Sequence, residues 1–177
     1  MGSLQKQFSE EFSNHNFEII VIDNNSDDGS EEKIKTVIKK ENYKNTKLIA
    51  NEKNLGFGGG CNEGAKIAKG DFILFLNNDT IAKDRGILDM AKCMQEDSDI
   101  AILGGQLKNS DGTPQPSGGK FYTLFNAILL LLGLQKFGLL DRSPKKISKI
   151  DWVKGGLFMI KKDIFEKLGG FDENIFM

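Results

Sequence analysis

Residues 17–30 read FEIIVIDNNSDDGS, an apolar run that ends abruptly in acidic and amide side chains. An apolar run of this length, rich in β-branched residues, favours a buried strand at 17–23. The polar residues 24–29 predict a turn, and Ser30, with two glutamates behind it, favours the start of a helix that Ser30 caps. The stretch therefore predicts a strand, turn and helix, with polar residues at the carboxyl end of the strand.

The same alternation of apolar strands and helical patterns continues along the chain. Further strands are predicted at 47–50, 71–76, 100–107 and 152–160, with helices up to Ala68, at 84–96 and at 162–168. A helical pattern at 4–12 precedes the first strand. This order predicts an α/β fold with a mostly parallel central sheet flanked by helices, in a single domain over 1–177.

The composition is that of a globular protein, with 39% hydrophobic and 28% charged residues and a net charge of -1. Such a charge gives no general attraction to nucleic acid, so no nucleic-acid partner is expected. Cys61 and Cys93 have no CxxC partner and are predicted to be reduced thiols of a cytoplasmic protein. His15, the sole histidine, lies in a polar stretch and is not expected to act in catalysis.

A leucine-rich segment at 121–140 predicts a helix that is either buried or interfacial. Its uninterrupted apolar core is 127–134, whereas a membrane span needs about 20 apolar residues. If the helix is interfacial, Lys145, Lys146 and Lys149 would favour anionic headgroups, and the protein would touch the inner face of the membrane. If it is buried, the lysines are simply solvated. The sequence does not indicate an oligomeric state.

Three polar clusters follow predicted strands, at 23–26, in the loop from Asn54, and at 77–79. Ligands of open parallel sheets bind beyond the carboxyl ends of the strands, so we expect the clusters to meet at one edge. Taken singly, each cluster is also compatible with ordinary turn chemistry or helix capping. Their convergence is what indicates a binding site.

Residues 56–61 read GFGGGC and predict a loop before the next helix. The dinucleotide motif GxGxxG fails because Cys61 occupies its last glycine position, and no phosphate-binding GxxxxGK[ST] motif occurs. A dinucleotide-dependent oxidoreductase is therefore an alternative that these residues favour less. The glycines allow either close approach to a ligand or close packing of a helix on the sheet.

Five segments resemble, in order and spacing, the motifs of family 2 glycosyltransferases, which have the GT-A fold. They read DNNSDDGS at 23–30, NLGFGGGCNEG at 54–64, LNND at 76–79, WVKGG at 152–156 and GGFDE at 169–173. The resemblance covers about 17–177 and is strongest to the rhamnosyltransferase-like branch. Five ordered segments are much more specific than any one of them.

The resemblance implies an inverting transferase that moves a sugar, rhamnose or another hexose, from a nucleoside diphosphate to a glycan or lipid-linked acceptor in polysaccharide or cell-wall biosynthesis. It implies Mg²⁺ or Mn²⁺ as cofactor with Asp79 as the protein ligand, because the cation neutralises the diphosphate leaving group. Asp23 and Asn24 would contact the base. The implied nucleotide-sugar residues are Asp23, Asn24, Asn54, Gly56, Gly58, Asn62, Asn77 and Asn78, and the implied acceptor-side residues are Trp152, Gly155, Asp172 and Glu173.

The family also uses a carboxylate base that deprotonates the acceptor hydroxyl. The segment that carries this base would follow Met177, and a further strand would precede the helical pattern at 4–12. We therefore expect a domain that is incomplete at both ends, and we assign no catalytic residue. The alternative function is a non-catalytic nucleotide-sugar-binding fragment, which a sugar-transfer assay with restored flanking sequence would separate from an enzyme.

Overall fold

The structure is a computed structural model that describes residues 1–121, 123–124, 131 and 146–176. Most of the leucine-rich segment predicted at 121–140, and also Lys145, lie outside these residues. Among the residues that are described, no helix combines the length and apolar character needed to cross a bilayer.

Two compact units make up the chain. Unit 1 comprises Met1–Ile73, Ile81–Arg85 and Ile160–Met177, and unit 2 comprises Leu74–Thr80 and Gly86–Met159. The single domain over 1–177 stays a prediction.

Helices and strands alternate between residues 19 and 104, as the sequence predicts. In order they are α1 (Gly2–Gln7), α2 (Ser9–Ser13), β1 (Ile19–Asp23), α3 (Ser30–Lys40), β2 (Thr46–Ala50), α4 (Gly56–Ile67), β3 (Phe72–Leu76), α5 (Gly86–Glu96), β4 (Ile102–Gly104), β5 (Gly118–Gly119), β6 (Trp152–Val153), β7 (Leu157–Lys161) and α6 (Lys162–Lys167). The α/β class is confirmed.

In unit 1, strands β1 and β2 pair in parallel, from Ile19 opposite Thr46 to Asp23 opposite Ala50. The backbone N–H of Asn51, just past β2, donates to the carbonyl of Asp23 at 2.9 Å. Because parallel strands end at the same edge, this register brings the turns that follow β1 and β2 side by side. That edge is where the polar residues of the first predicted cluster lie.

The two N-terminal helices pack their aromatic residues into the core of unit 1. Phe8 is fully buried, and its ring lies 5.4 Å from that of Phe17, while the ring of Phe12 lies 5.8 Å from Phe17. The guanidinium carbon of Arg85 lies 5.6 Å from the centroid of the Phe8 ring, and the same guanidinium forms an ion pair with Glu11. The helices therefore anchor the segment 81–85 through both an aromatic and an ionic contact.

The glycine-rich segment was predicted as a loop, and this prediction is wrong: it forms the first turns of α4. The helix begins at Gly56, which has a φ of +71°. A Cβ at Gly64 would lie 3.2 Å from Ile22 Cδ1, and one at Gly60 would lie 3.6 Å from Ile22 Cγ2. The small residues thus let the backbone of α4 approach β1 closely, which is the packing interpretation of the glycine run.

A three-stranded sheet has the order β3-β7-β4, and unit 2 contains β4 together with residues 74–76 of β3 and 157–159 of β7. Strands β5 and β6 form a separate antiparallel pair in unit 2. The rings of Phe75 and Phe158 stack at 4.9 Å. Met90 and Met94, one helical turn apart on α5, are both buried. A Cβ at Gly105 would lie 2.4 Å from Leu157 Cδ2, so a larger residue after β4 would force the Leu157 side chain to move.

Two predicted strands and one cap differ from the structure. The strand predicted at 100–107 is only Ile102–Gly104, and the strand predicted at 152–160 is broken into β6 and β7 because Lys154 and the two glycines that follow interrupt it. Ser30 does not cap α3. Gly29, with a φ of 75°, takes the cap position, and the Asp28 carboxylate instead accepts the Ser30 N–H at 2.9 Å.

Candidate functional site

The side chain of Asn24, directly after β1, makes four hydrogen bonds. Its Nδ2 donates to Asn54 Oδ1 at 2.9 Å and to the Gly56 carbonyl at 3.0 Å. Its Oδ1 accepts from Asn51 Nδ2 at 3.0 Å and from the Leu55 N–H at 3.1 Å. A side-chain amide has two donors and two acceptor lone pairs, so these bonds use its full capacity. Asn24 therefore fixes the 51–56 loop against the end of β1, and its contact with a nucleotide base stays a prediction.

Asp23 and Asp28 shape the turn after β1. Asp23 is buried at 6% exposure, and its Oδ2 accepts the Ser26 N–H at 3.2 Å. Asp28 Oδ1 accepts from the Ser30 hydroxyl at 2.5 Å as well as from the Ser30 N–H, and these hydrogen bonds lower the pKa of the Asp28 carboxyl. Part of the first motif is therefore turn chemistry, as its structural interpretation anticipates.

Asn62, on the second half of α4, is bound to the segment that follows α6. Its Nδ2 donates to the Phe171 carbonyl at 3.0 Å and to Glu173 Oε1 at 2.9 Å. Its Oδ1 accepts the Phe171 N–H at 2.9 Å. The side chain is buried, with 7% exposure. These bonds tie Glu173, and the segment that also carries the predicted acceptor-side residue Asp172, to a helix that carries predicted nucleotide-side residues.

Apolar contacts hold the same segment to α4. The ring of Phe171 lies 5.8 Å from that of Phe57 on α4 and 5.5 Å from that of Phe165 on α6, both in edge-to-face geometry. A Cβ at Gly58 would lie 3.1 Å from Phe171 Cβ. A side chain at position 58 would therefore crowd Phe171 where it crosses the helix, whatever the relation of Gly58 to a ligand.

In unit 2, residues 77–79 follow β3 and are exposed. The Asn77 N–H donates to the Gly156 carbonyl at 3.1 Å, and the Thr80 N–H donates to the Asn77 carbonyl at 3.2 Å, which closes a turn. Within the described part of the chain, the side chains of Asn78 and Asp79 have no hydrogen-bond or ion-pair partner. Their oxygen atoms are therefore available to a ligand.

The predicted acceptor-side residues of unit 2 lie in and after β6. Trp152 Nε1 donates to the Lys120 carbonyl at 3.2 Å, and the indole covers Gly119, whose Cβ would lie 3.1 Å from Trp152 Cζ2. Gly155 is half-buried. Its neighbour Gly156 lies beside Asn77, because a Cβ there would meet Asn77 Nδ2 at 3.6 Å.

The predicted site residues fall into three groups that the structure assembles. Asn24, Asn54 and Gly56 are joined by hydrogen bonds in unit 1, where Gly58 and Asn62 meet the segment of Asp172 and Glu173, and Asn77 adjoins the 152–156 segment in unit 2. The convergence of all three groups, with Asp79 beside the nucleotide-side residues, stays a prediction.

The sequence analysis did not single out Asn51, and it included Gly170 and Phe171 only as members of the 169–173 motif. Asn51 had a usable signal, since it follows β2 as Asn24 follows β1, and the two strands are parallel neighbours. Phe171 lay inside a segment of interest, but nothing in its pattern indicated which aromatic rings it meets.

The cysteines and the histidine lie outside the predicted site residues. Both cysteines are free, and burial raises the pKa of the Cys61 thiol to about 11. His15 is exposed, and its Nδ1 lies 3.1 Å from Asn45 Oδ1. No group of three or more His, Cys, Asp or Glu residues able to hold a metal occurs in the described ranges. A magnesium-type site needs no such group, because one carboxylate with phosphate oxygens and water can complete it.

The chain is similar to known glycosyltransferases. It is 38% identical over 85 residues to an uncharacterized glycosyltransferase of Methanocaldococcus jannaschii, a match that covers 48% of this chain and 29% of that protein. It is 37% identical over 71 residues to a dolichyl N-acetyl-alpha-D-glucosaminyl phosphate 3-beta-D-2,3-diacetamido-2,3-dideoxy-beta-D-glucuronosyltransferase of Methanococcus voltae, covering 40% of this chain and 22% of that one. The matches therefore span less than a third of either relative.

A solved structure of a mannosyltransferase from Pyrobaculum calidifontis, in complex with GDP-Man and Mn²⁺, matches with a TM-score of 0.61 and 15% identity, covering 98% of this chain and 45% of that one. This likeness shows the predicted GT-A fold. The model of the family described as "Glycosyl transferase family 2" matches residues 2–169. The chain therefore belongs to family 2 of the glycosyltransferases.

Proposed function

We propose that this glycosyltransferase uses Mg²⁺ or Mn²⁺ to transfer a sugar, with inversion, from a nucleoside diphosphate to a glycan or lipid-linked acceptor. The observation that carries the proposal is the Asp79 carboxylate, which follows β3, is exposed and has no partner among the described residues. A carboxylate that stabilises nothing within the protein is suited to an external ligand. The side chain of Asn78, next to it, is also exposed and has no partner among the described residues.

The residues at 77–79 fit a hard divalent cation. Carboxylate and amide oxygens are the ligands that Mg²⁺ and Mn²⁺ prefer, and Mg²⁺ is commonly held by one or two carboxylates together with substrate phosphates. Asp79 would hold the ion directly, with Asn78 directed to the ribose. When bound, the cation supplies charge neutralisation for the departing diphosphate.

The nucleotide side is proposed to comprise the end of β1 and the start of α4. Asn24 and Asn54 keep this loop in one conformation, so a nucleotide meets a preformed surface and does not have to order the loop on binding. Buried Asp23 contributes its carboxylate at the same strand end.

The acceptor side is proposed to comprise Trp152, Gly155, Asp172 and Glu173. The name of the Methanococcus voltae relative describes an acceptor linked to dolichyl phosphate, which supports a lipid-linked acceptor. The Pyrobaculum calidifontis structure holds GDP-Man and Mn²⁺, which supports a nucleotide sugar and a divalent cation. The sugar and base of this chain's own donor are left open, with rhamnose as one candidate.

The proposal is tested by calorimetry with UDP-, dTDP- and GDP-sugars in the presence and absence of MnCl₂. Asp79→Ala should abolish manganese-dependent binding without changing the unfolding midpoint, because the side chain has no internal partner. The matched control is Asp99→Ala, which removes another exposed carboxylate of unit 2 and should bind donor like the wild type. Equal donor binding by the Asp79→Ala variant would disprove the metal role.

A further inference from the structure

Helix α4 holds a different loop at each of two places along its length. At its start, the Gly56 N–H donates to Asn54 Oδ1 at 2.8 Å, and Asn54 in turn accepts from Asn24. Six residues further along, Asn62 binds the segment that carries Glu173. With a rise of about 1.5 Å per residue, these two places lie roughly 9 Å apart along the axis.

The hydrogen bonds of Asn62 leave no donor for a sugar or a phosphate. An amide nitrogen carries two protons, and both are used, one by the Phe171 carbonyl and one by Glu173 Oε1. The side chain is also 7% exposed, so a ligand has little access to it. The predicted role of Asn62 in the donor pocket must then be indirect.

The two glycines that precede Phe171 bring the backbone against the Asn62 amide. Gly169 and Gly170 both have a φ of +79°, a conformation that reverses the chain after α6. A Cβ at Gly170 would lie 2.6 Å from Asn62 Oδ1, so the chain passes directly against the amide. One oxygen of the exposed Glu173 carboxylate, Oε1, thereby accepts a hydrogen bond from the buried Asn62 amide.

We propose that Asn62 is a positioning residue for sugar transfer, which holds residues 171–173 so that α4 sets the spacing between the donor side and the acceptor side. This inference rests on the proposed function, which assigns Asn24 and Asn54 to the donor side and Asp172 and Glu173 to the acceptor side. Asn62 itself touches neither substrate. Its effect on the reaction passes through the Glu173 carboxylate.

The test compares Asn62→Asp, Glu173→Gln and the double variant by amide hydrogen exchange of the peptide covering 169–176. Asn62→Asp replaces two donated hydrogen bonds by repulsion from the Phe171 carbonyl and from Glu173, so exchange should become about tenfold faster. Glu173→Gln keeps an acceptor oxygen and should stay within about twofold of the wild type. In the double variant the new amide at 173 can donate to the new carboxylate at 62, so exchange should return part of the way, while the repulsion at the Phe171 carbonyl remains.

The rescue separates a specific bond from general loosening, because destabilisation of α4 would not be repaired by a change at position 173. Glu63→Gln, which removes an exposed ion pair with Lys66 from the same helix, is the control and should leave exchange unchanged. If Asn62→Asp does not fold, Glu173→Ala serves, since it removes one bond at an exposed position. It should raise the exchange rate about threefold.

A second measurement, calorimetry with UDP or GDP and MnCl₂, keeps this inference distinct from the proposed function. Asn62→Asp should bind nucleotide within about twofold of the wild type, since no donor of the amide faces the ligand. A tenfold loss of nucleotide affinity with unchanged exchange at 169–176 would mean that Asn62 contacts the donor, and would overturn the inference. Unchanged exchange alone, or no rescue in the double variant, would also overturn it. Absence of nucleotide binding in the wild type would count against the proposed function and leave the exchange result to decide the Asn62 contacts.

Discussion

Gly169 and Gly170 are a matched pair for substitution. An alanine at either position would take the same left-handed backbone conformation, but only an alanine at position 170 would clash with a neighbouring side chain. Both glycines have a φ of +79°. They end α6 by a Schellman motif, in which the Gly170 N–H donates to the Phe165 carbonyl and the Gly169 N–H to the Glu166 carbonyl, both at 3.0 Å. A Cβ at Gly169 would meet nothing within 4 Å, whereas one at Gly170 would lie 2.6 Å from Asn62 Oδ1. Changing each to alanine therefore measures the Asn62 contact by difference.

The left-handed conformation costs an alanine about 1–2 kcal/mol, so Gly169→Ala should lower the free energy of unfolding by that amount. Gly170→Ala carries the same penalty and also displaces the Asn62 amide. That amide makes three hydrogen bonds, and losing two of them at about 0.5–1.5 kcal/mol each adds roughly 1–3 kcal/mol. For a chain of this size, the difference corresponds to roughly 2–12 °C in the melting temperature.

Urea denaturation followed by circular dichroism gives both free energies, and the same pair of substitutions in an Asn62→Ala background closes the cycle. With the clashing oxygen gone, the two glycine variants should differ by less than about 0.5 kcal/mol. Equal destabilisation by Gly169→Ala and Gly170→Ala in the wild-type background would refute the contact between Gly170 and Asn62. A difference that persists without Asn62 would assign the cost to another neighbour.

Three further predictions follow from the described contacts. Asn24→Ala removes four hydrogen bonds at a half-buried position and should cost about 2–4 kcal/mol in urea denaturation, whereas the exposed Asn16→Ala should stay within about 0.5 kcal/mol. Burial raises the pKa of the Cys61 thiol from 9.0 to about 11. The free energy of unfolding should therefore be unaffected by this thiol below pH 9 and should fall as the pH rises from 9 to 11, because the unfolded thiol ionises first. Unfolding in urea at pH 8 should speed iodoacetamide labelling of the Cys61 peptide about 100-fold, which mass spectrometry can measure. The Glu11 carboxylate is 12% exposed, and its Oε2 has no hydrogen-bond partner among the described residues. Arg85→Ala removes the cation that pairs with this carboxylate and should lower the free energy of unfolding by about 1–3 kcal/mol, a range that allows for the half-exposure of the arginine. Glu11→Gln removes the charge itself and should cost less. Equal losses for these two variants in thermal denaturation would contradict this reasoning.

The fold was largely predictable because each main strand of the sequence is a short apolar run with a sharp polar end. β1, β2 and β3 lie within two residues of their predicted bounds. The failures came where tertiary packing decides. Gly56, Gly58, Gly59 and Gly60 have low helix propensity and were predicted as a loop, yet they lie in a helix in which Gly58 adjoins Phe171 and Gly60 adjoins Ile22.

The hydrogen bonds that connect the predicted site residues could not be predicted from the sequence. The motifs at 23–30 and 54–64 were predicted as separate clusters, and the structure joins them through one amide, Asn24. No local pattern indicates that Asn62 binds residues 109 and 111 positions away. Such long-range hydrogen bonds depend on the relative placement of α4 and α6, which a single sequence does not encode in any short window.

The motifs also differ in how many of their polar side chains are hydrogen-bonded within the protein. In 23–30, Asp23, Asn24 and Asp28 all accept hydrogen bonds from their own or neighbouring loops. In 169–173, both glycines serve the end of α6. Residues 77–79 are different, because the side chains of Asn78 and Asp79 bind no other described residue.

This difference determines what substitution can reveal. A change at Asn24 or Asn62 breaks hydrogen bonds that hold the loops of the proposed site, so a loss of activity there could reflect either the altered loop or an altered ligand contact. A change at Asp79 leaves the internal contacts of the described residues intact, so a loss of donor binding has one explanation. The turn after β3 is therefore the place where sugar-donor chemistry can be tested separately from folding, and a drop in the unfolding free energy of Asp79→Ala by more than about 0.5 kcal/mol would show that this separation fails.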